Sequence, residues 1–167
     1  ITINLAKAKD GYSANYTMGH ELWHAMSKIE QLSPMAENIR REIAGLWVDG
    51  KVLEEGMLPA ATFSKYFDDY VKKLPVDQQR AVAEKYVSPQ SRAEYVADEI
   101  AAEHMAALVT GGTKGRKRYD TMLKAFDTPT QKALDAIILR NSGGVLGRMA
   151  TRLSEAGFAP GKSFLFP

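Results

Sequence analysis

Thr17-Met18-Gly19-His20-Glu21-Leu22-Trp23-His24-Ala25 is the stretch whose reading decides this chain. His20-Glu21-Leu22-Trp23-His24 matches the pattern H-E-x-x-H. On a helix, residues four apart stand one above the other, so both imidazoles can reach one ion. Glu21 projects about 100° further round the helix. From there it is poorly placed as a ligand and well placed to hold a water on the same ion. Zinc takes nitrogen ligands in a four-position shell and brings the pKa of a bound water to about 7. The pattern therefore predicts zinc on His20 and His24, with Glu21 as general base. The chain has only 3 histidines, so a chance match is improbable.

Working outward, residues Ile1 to Ala6 alternate apolar and polar, which predicts a short half-buried strand. Lys7 to Tyr16 carries Gly, Ser and Asn and reads as a loop. A helix is expected from about Thr17 to Gln31, and another from about Pro34 to Val48. A third begins at Leu58-Pro59, with Phe63, Phe67, Tyr70, Val71 and Leu74 on one stripe. A short one spans about Val76 to Val87. A long Ala- and Glu-rich helix covers about Gln90 to Val109 and stops at Gly111-Gly112. A basic turn, Lys114 to Arg118, precedes two more helices, about Arg116 to Phe126 and Thr130 to Leu139. The expected fold class is mainly α with a small β-sheet, an α+β arrangement. Residues 1–167 read as one domain, with a helical insertion at 34–89 between the two ligand-bearing helices.

Bulk properties bound the rest. The chain has 167 residues, 45% hydrophobic and 25% charged, as in ordinary globular domains. A net charge of +2 nominates neither nucleic acid nor membrane as a partner. There is no cysteine, which removes thiol nucleophiles and thiolate metal sites. No membrane-length apolar run and no signal peptide are visible, and a cytoplasmic location is the expectation. The chain starts at Ile1 rather than Met, as expected of a piece processed or excised from a longer protein. Oligomeric state is not legible.

A catalytic zinc needs a third protein ligand and an open position. Candidates lie on the long helix: Glu94, Asp98, Glu99, Glu103 and His104. At 100° per residue, Glu94 and Asp98 share a face with Ala97, Ala101, Met105 and Leu108, while Glu99 and Glu103 point the other way. Carboxylates on an apolar face are costly unless paired or metal-bound, so Glu94 and Asp98 stand out. Glu99 is the runner-up, followed by His104.

Glu94-Tyr95-Val96-Ala97-Asp98 resembles the E-x-x-x-D signature of the gluzincin metallopeptidases. The resemblance implies a zincin-like fold with Glu94 as third zinc ligand and Asp98 orienting His20. Ala97-Asp98 followed by Ile100-Ala101-Ala102-Glu103 also resembles a helix of ImmA/IrrE-type peptidases. The likeness extends to metallopeptidase domains of phage and mobile-element polyproteins. Trp23 stands where those peptidases carry Gly before the second His. The expected function is zinc-dependent hydrolysis of a peptide or protein substrate. The alternative is a non-catalytic, zinc-stabilised interaction module of a larger protein. Tyr95, His104, Tyr119 and Arg92 are candidates for steadying an oxyanion. The Ile1 to Leu5 strand is a candidate edge for pairing with an extended peptide.

Overall fold

In a computed structural model of the chain, residues 11–48, 59–142 and 144–149 are described. Seven helices follow in order: α1 Gly11–Met26, α2 Ser33–Val48, α3 Pro59–Lys72, α4 Val76–Lys85, α5 Pro89–Thr110, α6 Gly112–Leu123 and α7 Thr128–Ser142. All regular structure among the described residues is helical, so the expected α+β class with a β-sheet is corrected to mainly α. That sheet rested on one alternating segment. No second run of period two occurs in the chain to pair with it. The segment itself, Ile1 to Ala6, lies outside the described residues.

The organising element is α5. Ser88 caps its start by accepting from the backbone N–H of Ser91, and Pro89 occupies the first turn. Gly111 ends it at φ 64°, a conformation glycine adopts without penalty. Contacts from α1, α2, α3 and α6 converge on it. Its buried residues run round the whole helix: Ala93, Val96, Ala97, Glu99, Ile100, Ala101, Ala102, His104 and Met105 among them. Trp23 and Met26 of α1, Ile39 and Ile43 of α2, and Leu134 and Ile138 of α7 complete the core. The many alanines of α5 let neighbouring helices approach from several sides. No helix among the described residues is long and apolar enough to cross a membrane.

Two boundaries differ from expectation. The predicted loop at Lys7 to Tyr16 becomes, from Gly11 onward, the first turns of α1. Asn15 and Tyr16 are both buried there, and tertiary burial overrides the turn preference of Gly, Ser and Asn. The basic Lys114 to Arg118 segment is helical, inside α6, rather than a turn.

The crossing of α1 and α5 is close because Gly19 has no side chain. A Cβ there would lie 2.7 Å from the Cα of Ala106, 3.0 Å from the Cβ of Val109 and 3.2 Å from the carbonyl of Met105. Two of these three atoms are backbone and cannot step aside without moving α5. Gly19→Ala is therefore expected to destabilise the fold by about 1–3 kcal/mol through overpacking. Its gain in helix propensity, at most about 1 kcal/mol, offsets only part of this. Urea denaturation measures it, and an unchanged or raised midpoint would show that the two helices do not meet at this point.

Candidate metal centre

His20 and His24 lie on the face of α1 that meets α5. Their Nε2 atoms are 3.2 Å apart. The Glu99 carboxylate of α5 bridges them, with Oε2 3.3 Å from His20 Nε2 and Oε1 3.4 Å from His24 Nε2. These three residues form a group whose ligand atoms all lie within 4.8 Å of one another, close enough to hold a metal ion. The structure brings the histidines together with Glu99 and not with Glu94. Glu94 is half-buried on another side of α5, where its Oε1 accepts from Gln90 Nε2 at 2.7 Å.

Each imidazole has its own carboxylate behind it. His20 Nδ1 faces Glu103 Oε1 at 3.2 Å, and His24 Nδ1 faces Asp98 Oδ2 at 3.0 Å. Asp98 thus orients His24 rather than His20. Donation from both Nδ1–H groups fixes the tautomer that turns both Nε2 lone pairs toward one point. The carboxylates are themselves held. Glu103 accepts from the hydroxyl of buried Tyr16. Asp98 Oδ1 accepts from Trp23 Nε1 at 2.9 Å and from Arg40 of α2 at 3.3 Å. Trp23, which replaces the glycine of the resembling peptidases, therefore both fills the core and fixes an acid beside the site.

The charge balance is unusual. Three carboxylates, Asp98, Glu99 and Glu103, surround two imidazoles, and Arg40 reaches only Asp98. Burial alone would push His20 down, but Glu103 and Glu99 more than reverse this and hold it at about 9. Burial likewise opposes the charge on His24, and Asp98 and Glu99 raise it to about 10. Glu99 is held down at about 2, because contact with both imidazoles outweighs the burial that would raise it. Asp98 is also lowered, with burial opposed by His24 and Trp23. The pocket thus favours positive charge at the imidazole Nε2 atoms.

Glu21 sits half-buried next to His20, and among the described residues its carboxylate has no hydrogen-bond or ion-pair partner. A carboxylate committed to no other group is what a base needs. The other candidates are engaged elsewhere. His104, considered as a third ligand, is buried edge-on against Tyr119 at 5.1 Å and lies outside the metal group. Burial pushes its pKa down to about 4, so it is neutral at physiological pH. Tyr119 donates to Asp135 at 3.0 Å. Arg92 donates to the Tyr86 carbonyl and stacks over Phe67. Tyr95 packs in an aromatic group with Phe67, Tyr70 and Tyr86.

Sequence reasoning missed Tyr16 and Arg40, placed Glu99 second, and named Glu103 only as pointing to the opposite side. One signal was present. Glu99, Ala102, Glu103 and Ala106 form an i, i+3, i+4, i+7 stripe of acids and small residues, suited to a close helix approach that delivers two carboxylates. Also missed were Tyr66 and Tyr70 of α3. Their hydroxyl pKa values are raised, by burial first and then by the negative charges of Glu99 and Glu103, which places both beside the site.

No family model matches the chain, and neither a curated protein nor a solved structure matches it. The site stands on its own geometry.

Proposed function

We propose that the chain is a zinc-dependent peptidase in which His20, His24 and Glu99 hold the metal and Glu21 is the general base. The observation that carries this reading is the convergence of two imidazole Nε2 atoms, 3.2 Å apart, on one carboxylate, with Glu99 Oε2 3.3 Å from the first and Oε1 3.4 Å from the second. A tetrahedral ion bound at about 2.0–2.1 Å spaces its ligands about 3.3 Å apart, a spacing that supports zinc between these groups. Nitrogen and carboxylate donors without thiolate suit zinc at a catalytic site. Two of the three acids that meet the histidines, Glu99 and Glu103, are the two that contact His20, and they keep the four-residue spacing that the gluzincin resemblance put on Glu94 and Asp98. The pair is five residues further along, with Glu in place of Asp.

When bound, zinc acidifies a coordinated water and polarises the scissile carbonyl. The chain supplies the remainder. Glu103 and Asp98 accept from the Nδ1–H groups and keep both Nε2 atoms aimed at the ion. Glu21 takes the proton of the attacking water and delivers it to the leaving amine. A purely structural site would need a fourth protein ligand. Among the described residues the group contains three, and the nearest further carboxylates, Asp98 and Glu103, already occupy the Nδ1 atoms.

Zinc content by native mass spectrometry, followed by incubation with a broad peptide library, tests the reading. One zinc per chain with metal-dependent cleavage supports it. A full zinc complement with no cleavage of any peptide would leave the interaction-module alternative. No zinc on titration would end both.

The raised imidazole pKa values set a pH dependence. Zinc needs both Nε2 lone pairs, so at neutral pH it must displace protons from groups that titrate at about 9 and about 10. Affinity is therefore expected to rise with pH from neutrality toward about 9, with proton release on binding. The metal-free protein should show the opposite trend in stability. Its histidine pKa values are above the ordinary 6.5, so their contribution is full below 6.5 and is lost as pH rises through about 9 to about 10. Calorimetry in buffers of different ionisation enthalpy reads the proton release directly. A pH-independent affinity without proton release would contradict the arrangement.

A further inference from the structure

A cleft of about 700 Å³ opens between α3 and α6 and ends on α5 at Glu103. That volume is within the roughly 300–1,000 Å³ of small-ligand sites. Its position is not incidental. Glu103 lines it and also meets His20, with Oε1 3.2 Å from Nδ1. Tyr70, also in the lining, interacts with Glu99. A group seated in the cleft therefore lies one residue from the metal ligands.

The lining states what that group is. Tyr66 and Tyr70 present two aromatic rings, and Met122 and Ala125 supply an apolar wall. Rings and a thioether favour an aromatic guest through edge-on and sulfur contacts. At the rim, Lys65 and Asp69 neutralise each other across 2.6 Å. Lys72 and Lys73 also act on Asp69, and of these lysines Lys65 and Lys73 line the cleft, so the rim carries one carboxylate and a surplus of positive charge. Excess positive charge beside an aromatic slot favours a carboxylate.

We propose that this cleft seats a substrate residue with an aromatic side chain and an adjacent carboxylate, the carboxylate held by Lys73. This rests on the peptidase reading, of which it is the specificity site. The aromatic ring would occupy the space between Tyr66, Tyr70 and Met122. The adjoining peptide bond would then run past Glu103 toward His20, His24 and Glu99.

The test uses the full chain with zinc and three probes: N-acetyl-L-phenylalanine, its amide, and N-acetyl-L-alanine. Backbone amide shifts are followed by ¹⁵N NMR, with zinc content measured on the same samples. Shifts on α3 and α6 are expected for both phenylalanine probes and not for the alanine probe. The carboxylate should bind about 2- to 5-fold tighter than the amide, the range of an exposed ion pair. Lys73→Glu should abolish that preference while keeping ring binding. Ala125→Arg, at an exposed wall position, should block both phenylalanine probes. Shifts outside α3 and α6, equal binding of the alanine probe, or a carboxylate preference that survives Lys73→Glu would each overturn the proposal. The last of these would place the carboxylate on the metal instead. Should Ala125→Arg fail to fold, Lys73→Glu decides alone. Zinc bound with no probe binding defeats the cleft and leaves the metal centre. Probe binding without zinc defeats the metal centre and leaves the cleft.

Discussion

Glu99→Ala is expected to empty the protein of zinc, while Glu94→Ala leaves one zinc per chain. The two acids are on the same helix but about 140° apart around it, at 100° per residue. Only Glu99 reaches the histidines, at 3.3 and 3.4 Å. Glu94 is occupied with Gln90. Losing an outer-shell partner of a zinc ligand typically costs about 10- to 100-fold in affinity, and losing the ligand should cost at least that much. Glu99→Ala also removes the acid between two positively charged imidazoles 3.2 Å apart, so the metal-free fold is expected to lose stability, and zinc is measured on protein shown to be folded. Zinc titration with a competing chelator reads both variants. Retention of zinc by Glu99→Ala together with its loss from Glu94→Ala would restore the ligand set that the gluzincin resemblance implied.

The second large effect concerns Glu21. Glu21→Gln keeps size and hydrogen-bonding capacity but removes the proposed base. Peptide cleavage is expected to fall about 10²- to 10⁴-fold, the range of positioned acid–base catalysis. Zinc content should remain at one per chain, because Glu21 is outside the group that could hold a metal ion. A variant that cleaves normally would show that another group moves the proton. A variant that loses zinc as well would make Glu21 part of the metal site.

How much of this was legible before folding is instructive in its particulars. His20 and His24 were legible because the four-residue helical repeat alone sets their alignment. The long helix was legible from its alanines, and its end from Gly111-Gly112, where the structure places the positive φ. Which face of that helix turns to the histidines was not. The facing argument assumed one apolar side and one wet side, but α5 is covered by α1, α2, α3 and α6 together. Glu99, predicted to point away from the apolar side, is buried at 7% exposure beneath α1. Hydrophobic periodicity has no phase to report on a helix buried all round. The information was instead in small residues, since Gly19 and Ala106 mark where the two helices touch. The start of α1 was hidden for a related reason, because Asn15 and Tyr16 owe their helical state to contacts with distant parts of the chain. Arg40, behind Asp98, comes from a helix 58 residues earlier in sequence, a separation that no local pattern spans.

The most direct measurement is anomalous X-ray diffraction at the zinc edge from crystals of the zinc-loaded chain. One strong peak is expected, with Nε2 of His20, Nε2 of His24 and a Glu99 oxygen each about 2.0–2.2 Å away and the fourth position free of protein. A peak ligated by Glu94, a shell closed by four protein side chains, or no peak between α1 and α5 would contradict it.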